Sequence, residues 1–252
     1  TFDIHTGGID LLFPHHENEI AQSEGATGKK FARFFIEGEH LLVNGEKMSK
    51  SLGNVFSLRD IESRGFSSLA LRYLALTAHY RSKLNFTWES LSGAQRSMQK
   101  LYDFVRMARE TVARENQKSK IRNQKSKTKL KNHTKEFAAY GVQFEKIIAD
   151  DLNTPKALTV VWQLVHKYHK KPEQFDAKEV LNLLYDFDRV LGLGLKGIKP
   201  ETIPAEILTM AQEREEYRKQ KNWAKADEIR DQLKAIGYII EDVPEGPKVR
   251  KI

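Results

Sequence analysis

The chain has 252 residues, 40% hydrophobic and 30% charged, with a formal net charge of +8 at pH 7 and no cysteine. That length accommodates one large domain or two to three smaller ones, each with its own core, and the composition is that of an ordinary soluble globular protein. No run of about 18 apolar residues predicts a membrane span, no signal peptide is evident, and zero cysteine excludes a disulfide framework and accords with a cytoplasmic protein.

The charge is unevenly placed. Residues 111–135 hold nine Lys/Arg against one Glu, and the rest of the chain balances. The excess therefore belongs to one segment, which reads as a solvated basic linker or as a loose nucleic-acid contact.

In chain order, residues 1–64 read as mixed α/β. The first residue is Thr1 and the segment already looks structured there, so the sequence is expected to be part of a longer protein. "TFDIHTGGIDLLF" is an apolar run, a glycine turn and a second apolar run. Pro14 suits the first turn of a helix, where its missing N–H has no partner to lose. That helix is expected to run through "HHENEIAQSE" to Gly25. Leu41–Val43 reads as a strand, and the Asn44-Gly45 pair after it predicts a hairpin because both residues tolerate positive φ.

From Ser67 the period becomes helical, with Leu69, Tyr73, Leu76 and Tyr80 on one stripe. Trp88, Leu91, Met98, Leu101, Phe104 and Val105 continue the pattern. Asn-Gln-Lys-Ser-Lys then occurs at 116–120 and again at 123–127 with almost no apolar residue between, so a disordered basic insertion is expected over about 114–133. Helices resume with "EFAAYGVQFEKIIADDL", restart at Thr154 as N-cap before Pro155, and continue through "AKEVLNLLYDFDRVLGL". Gly192, Gly194, Gly197 and Pro200 mark a linker. The last 50 or so residues read as helix, turn, helix, the strand "YIIEDV" and a Pro/Gly turn. Three parts follow: 1–64, 65–198 and 199–252.

Two stretches carry chemistry. "GEKMSKSLGN", Gly45 to Asn54, is a lysine- and serine-rich loop after the hairpin. As composition it is solvated surface; as chemistry, two compact mobile cations suit charge that moves between phosphate oxygens. "PHHENE" places His15 and Glu19 four apart on one helix face, with His16 about a quarter turn away. That spacing fits half of a metal site and fits a plain surface pair equally.

As a literal string, Lys47-Met48-Ser49-Lys50-Ser51 is the signature of class I aminoacyl-tRNA synthetases. "FDIHTGGIDLLFPHHENEIAQSE", "KMSKSLGN", "ALRYLALTAHYRSKLNFT", "DDLNTPKAL" and "WAKADEIRDQLKAIGYIIEDVPEG" together strongly resemble cysteinyl-tRNA synthetases over nearly the whole chain apart from the basic repeat. The resemblance implies the C-terminal part of a Rossmann-type catalytic domain, then a mainly helical tRNA-binding bundle of the Ala-Leu-Arg type, then a small α+β anticodon-binding unit. It implies a cytoplasmic, monomeric ligase that activates cysteine with ATP, with Mg, and transfers it to tRNA(Cys). In that reading Lys50 stabilises phosphates with Lys47 assisting, Gly7 and Gly8 let the backbone approach adenosine, and Asp10 accepts from ribose hydroxyls. His15 and Glu19 become two of four zinc ligands, the other two being cysteines earlier in the catalytic domain. His5 either lines the same pocket or is an ordinary hydrogen-bonded histidine; His16 and Glu17 are structural or support the ligands from behind. Arg72, Arg81 and Lys83 are phosphate contacts or solvated helix charges. Trp223 and Tyr238 stack on anticodon bases or pack in a core. "GPKVRK" lacks the tryptophan that many relatives carry there.

Two rivals remain at this level. A non-catalytic tRNA-binding fragment would bind tRNA and form no adenylate. A cysteine–amino-sugar ligase would share the zinc and lysine regions but not a long tRNA-binding extension, so the terminal segment speaks against it.

Overall fold

The computed structural model describes residues 1–121, 134–199, 203–243 and 246–251. Two compact units divide at Ile198 and Lys199.

The first unit begins with a β–α–β crossover. Strand β1 (Phe2–Gly8) pairs in parallel with β2 (Ala32–Gly38), with Ile4 opposite Phe34 and His5 opposite Phe35. Helix α1 (Glu17–Thr27) connects them. It starts later than the proline suggests, because Leu12–His16 form a separate turn in which Phe13 is extended. It also passes through Gly25 and stops at Gly28, whose φ of 62° supplies the left-handed cap that side chains rarely adopt. Side chains alternate across the ribbon. One face carries His5 and Phe35 towards the turn before α1; the other presents Phe2, Ile4 and Phe34, all more than half exposed.

Strand β3 (Leu41–Val43) makes the expected hairpin with β4 (Glu46–Lys47), Asn44 at φ 51° and Gly45 at φ 83°. β3 also pairs in parallel with β5 (Leu84–Phe86), reached through α2 (Leu58–Ser63) and α3 (Ser68–Leu76). The α3 stripe differs in part from the expected one. The helix ends at Leu76, so Tyr80 lies beyond it, and the buried face is Ala70, Tyr73 and Leu74.

The helical bundle follows: α4 (Trp88–Ile121), α5 (Thr134–Ala149), α6 (Thr154–Lys170) and α7 (Ala177–Leu191). Leu91, Met98, Leu101, Phe104 and Val105 are buried as their spacing predicts, joined by Ala94 and Ala108. They pack with Leu164, Val165, Leu184 and Phe187 in one core. Residues 114–121 continue α4, where disorder was expected; Lys, Gln, Arg and Glu are good helix formers, and the buried stem before them supplies the nucleus. The remainder of the expected insertion, 122–133, lies outside the described residues. Asn153, not Thr154, caps α6, because its side-chain oxygen reaches the Lys156 N–H. The glycine-rich stretch after α7 is no slack linker as far as Ile198: Leu193 and Leu195 are fully buried, and both donate backbone N–H groups to the Asp188 carboxylate. Pro200 lies outside the described residues.

The second unit holds α8 (Ala205–Lys219), α9 (Trp223–Ala235) and a hairpin of β6 (Tyr238–Val243) with β7 (Gly246–Lys251). The second strand was not expected; "GPKVRK" continues past the turn and pairs back. Ile207, Ala211, Ile229, Leu233 and Val249 form its core. Among the described residues, no helix is long and apolar enough to cross a membrane.

Candidate metal and nucleotide site

The C-terminal ends of β1 and β2 and the turn before α1 gather the chemistry-bearing side chains, the place where parallel α/β units commonly bind ligands. Glu19 is the centre. His5 Nε2 lies 2.9 Å and His15 Nε2 3.6 Å from the same Glu19 oxygen. The four-residue spacing of His15 and Glu19 survives although α1 starts at Glu17, because His16 and Glu17 already have helical backbone angles. Two ligand atoms on one tetrahedral zinc stand roughly 3.4 Å apart, given metal–ligand distances near 2.1 Å. The His15–Glu19 spacing fits that, and imidazole nitrogen with carboxylate oxygen is a donor set that zinc accepts.

His16 is different. It is buried, and its Nδ1 lies 2.7 Å from Glu37 on β2. That carboxylate fixes the ring and leaves Nε2 facing inwards, so His5, His16 and Glu19 present donor atoms all within 4.8 Å of one another. Glu37 itself was not singled out by sequence. Its partner lies 21 residues away and only the β1–β2 pairing brings them together; its second oxygen is buried without a hydrogen bond.

Gly7 and Gly8 each have a visible reason for lacking a side chain. A Cβ on Gly7 would lie 2.5 and 2.7 Å from the His16 ring, and one on Gly8 would lie 2.5 Å from Asp10 Oδ1. In this structure their bareness makes room for an imidazole and a carboxylate. Asp10 is exposed.

The lysine loop is tied at its neck. The Asn54 side chain accepts from the Ser49 N–H at 2.8 Å and donates to the Lys47 carbonyl at 3.1 Å. Ser49 Oγ lies 3.2 Å from Ser51 Oγ and accepts from the Leu52 N–H at 3.3 Å. Met48 turns inward against the core, and Lys47, Lys50 and Ser51 are exposed. Asn54 was quoted in the motif but given no task by sequence reading.

The proposed RNA-contacting residues divide. Arg72 donates Nε to the Leu191 carbonyl at 2.6 Å, and its guanidinium packs over Gly192, so its charge caps the end of α7. Arg81 is paired with Asp151 at 2.6 Å, whereas Lys83 is exposed. In the second unit Trp223 is 58% exposed and not in the core, and with Arg218, Lys219, Glu215, Asp242 and Gly246 it lines a pocket of about 310 Å³. Tyr238 packs against the core there. The buried Arg214 guanidinium holds the Asp242 carboxyl below its usual range, helped by Arg218.

Comparison with known proteins adds three family matches. Residues 1–96 match tRNA synthetases class I (C) catalytic domain, residues 143–196 the DALR domain, and residues 201–250 the cysteinyl-tRNA ligase anticodon binding domain. Curated relatives include the cysteine–tRNA ligase of Chlamydia felis, 42% identical over all of this chain and 52% of that protein. Those of Protochlamydia amoebophila and Methanosarcina mazei are 38% and 40% identical, again over the whole chain and 51% and 52% of the relative. The chain thus spans about half the length of the curated relatives it matches. Among solved structures, the LeuRS of Agrobacterium radiobacter K84, in a ternary complex with tRNA and LeuAMS, superposes with a TM-score of 0.55 at 15% identity, over 78% of this chain and 26% of that one. That likeness is one of fold.

Proposed function

We propose that this chain, as a member of the cysteine–tRNA ligase family that its matches point to, carries half of a zinc site, the mobile lysine loop and the tRNA-contacting parts of such an enzyme. The reaction would join the cysteine carboxylate to the α-phosphorus of ATP, release pyrophosphate, and pass the cysteinyl group to the terminal ribose of tRNA(Cys). Mg would accompany the ATP. The observation that carries the reading is the convergence of His15 and His5 on one Glu19 oxygen, in a chain whose residues 1–96, 143–196 and 201–250 match these families.

His15 and Glu19 would hold the zinc, with two cysteines from the rest of the protein completing four ligands. Bound there, zinc supplies direct ligation of a thiolate, which rejects the hydroxyl of serine where a packed pocket would discriminate poorly. His5, donating to Glu19, keeps that carboxylate aimed; His16, held by Glu37, walls the pocket from behind. Lys50 would neutralise the phosphates as negative charge moves towards the leaving pyrophosphate, and Lys47 would assist from the base of the loop. Asp10, made room for by Gly8, would accept from the ribose. No side chain need act as a covalent nucleophile, since the carboxylate of the amino acid attacks. Catalysis is then positioning and electrostatics.

By this reading residues 1–64 are the catalytic part, 65–198 the helical tRNA-binding part and 199–252 the anticodon reader. The exposure of Trp223 beside Arg218 and Lys219 supports base stacking there. The match of residues 201–250 to an anticodon-binding family speaks against the amino-sugar ligase.

Zinc analysis of the full-length protein tests the site. One zinc per chain is expected, lost in Glu19→Gln and His15→Ala and weakened about 10- to 100-fold in His5→Phe. Undiminished zinc in Glu19→Gln would overturn the assignment.

A further inference from the structure

We propose that Asp151 is a positioning residue for the lysine loop. It fastens the corner between α5 and α6 to residues 79–81, and that segment holds the strand from which the lysine hairpin springs. The inference rests on the reading of Lys47 and Lys50 above.

Three consecutive side chains converge on Asp151. Tyr80 donates its hydroxyl to the carboxylate at 2.5 Å, and Arg81 donates Nε at 2.6 Å and Nη2 at 3.3 Å. His79 Nδ1 accepts the Arg81 backbone N–H, so Nε2 carries the proton donated to the Asp151 carbonyl at 2.9 Å. The His79 and Tyr80 rings stack at 4.9 Å. The Arg81 and Tyr80 bonds pull the Asp151 carboxyl below its ordinary range, and the same bonds push the Tyr80 hydroxyl and the Arg81 guanidinium up.

The corner itself is unusual. Asp151 and the following Leu152 are both left-handed, at φ 57° and 54°, and leucine rarely adopts that region. Such backbone persists where surrounding contacts over-determine it. Here those contacts run to a segment 70 residues away.

At its far side the segment acts as a rail. The Tyr80 carbonyl accepts the Glu39 N–H at 2.7 Å, two residues before β3. β5, directly after the segment, pairs with β3 along its length. Its Asn85 side chain accepts the Gly45 N–H at 2.7 Å and its Phe86 carbonyl accepts the Asn44 N–H at 3.0 Å. Both hairpin-turn residues are therefore held from the same rail, and Lys47 follows two residues later. An exposed carboxylate–guanidinium pair adds little to global stability. Its precise convergence with a phenol and an imidazole suits location of a segment more than stabilisation of a fold.

Hydrogen exchange on the full 252-residue chain tests the fastening without any activity. In Asp151→Asn and in Tyr80→Phe, amides of residues 39–47 should exchange at least roughly fivefold faster, with α6 and α7 unchanged. Arg189→Ala, which removes a surface pair elsewhere on the bundle, should leave 39–47 as in the wild type. Acceleration confined to 77–83 and 149–154, or spread over every helix, would overturn the proposal. In the full-length protein, Asp151→Asn should lower kcat for cysteine-dependent ATP–pyrophosphate exchange and leave KM for ATP within about twofold, whereas a merely destabilising change would reduce active enzyme on heating only. Intact exchange in Lys50→Ala would sink the reading of the lysine loop, while the exchange pattern over 39–47 still decides the fastening.

Discussion

Gly7 and Gly8 sit side by side and are bare for two different reasons, one to admit a buried imidazole and one to admit a carboxylate. The Gly7 case gives a sharp prediction. His16 cannot retreat, because Glu37 holds its Nδ1 and burial surrounds it. Gly7→Ala should therefore destabilise the protein by about 1–3 kcal/mol, the usual cost of overpacking, measurable in urea denaturation; Gly25→Ala, with open space around it, should not. At this scale the sequence carried the residue types but not their partners. His15 and Glu19 are four apart and could be paired from spacing. His16 with Glu37, and Asn54 folded back on Ser49, depend on chain reversals that no local pattern encodes. Asn54 yields a second test. An aspartate there keeps the acceptor for Ser49 and loses the donor to the Lys47 carbonyl, so Asn54→Asp should loosen the loop and speed exchange at Ser49.

Elements were legible where the signal was local. The Asn44-Gly45 hairpin, the α4 stripe and the span of β6 follow directly from turn chemistry and period. Ends were less so. α3 stops four residues before Tyr80, and the cap of α6 lies one residue earlier than expected, because capping depends on which oxygen reaches which N–H. The linker predicted over residues 192–200 holds only for its end, where the two units divide; Gly192 and Gly194 instead serve a left-handed cap and a tightly packed turn. At Gly192, φ is 64° and a Cβ would lie 2.7–2.9 Å from the Arg72 guanidinium. Gly192→Ala should cost at least about 1–2 kcal/mol, the penalty of a left-handed L-residue, and should free Arg72 from Leu191. Helix α2, just after the lysine loop, carries a pH prediction. The Ser57 hydroxyl and backbone N–H hold the Asp60 carboxyl below its ordinary range in a reciprocal cap. The unfolded chain then binds the proton more readily. This contribution is fully present above the ordinary aspartate pKa of about 4, and is lost as pH falls through the depressed value. An NMR titration should show Asp60 titrating lower in the wild type than in Ser57→Ala.

At the scale of the whole molecule, the first strand pair is covered unevenly. A parallel strand pair is ordinarily covered on both faces. Here α1 and its turn cover one face of β1 and β2, whereas Phe2, Ile4 and Phe34 on the other are 58%, 56% and 67% exposed. The core shared by β3, α2, β5 and the helices, by contrast, is continuous, with Val43, Ile61, Phe86, Leu101 and Leu184 all buried in it. The proposed zinc site thus sits on a strand pair with one open face, whereas the lysine hairpin and the proposed tRNA-binding helices share a closed core, and the proposed reaction needs both together with the two further zinc ligands. Cysteine-dependent ATP–pyrophosphate exchange measures this most directly, with the full-length protein, its Lys50→Ala variant and this 252-residue chain side by side. Exchange with cysteine far above serine is expected in the full-length protein, with a fall on the order of 10²–10³ in Lys50→Ala, and none from the chain alone. Robust exchange from the chain alone, or an unaffected Lys50→Ala variant, would contradict this reading.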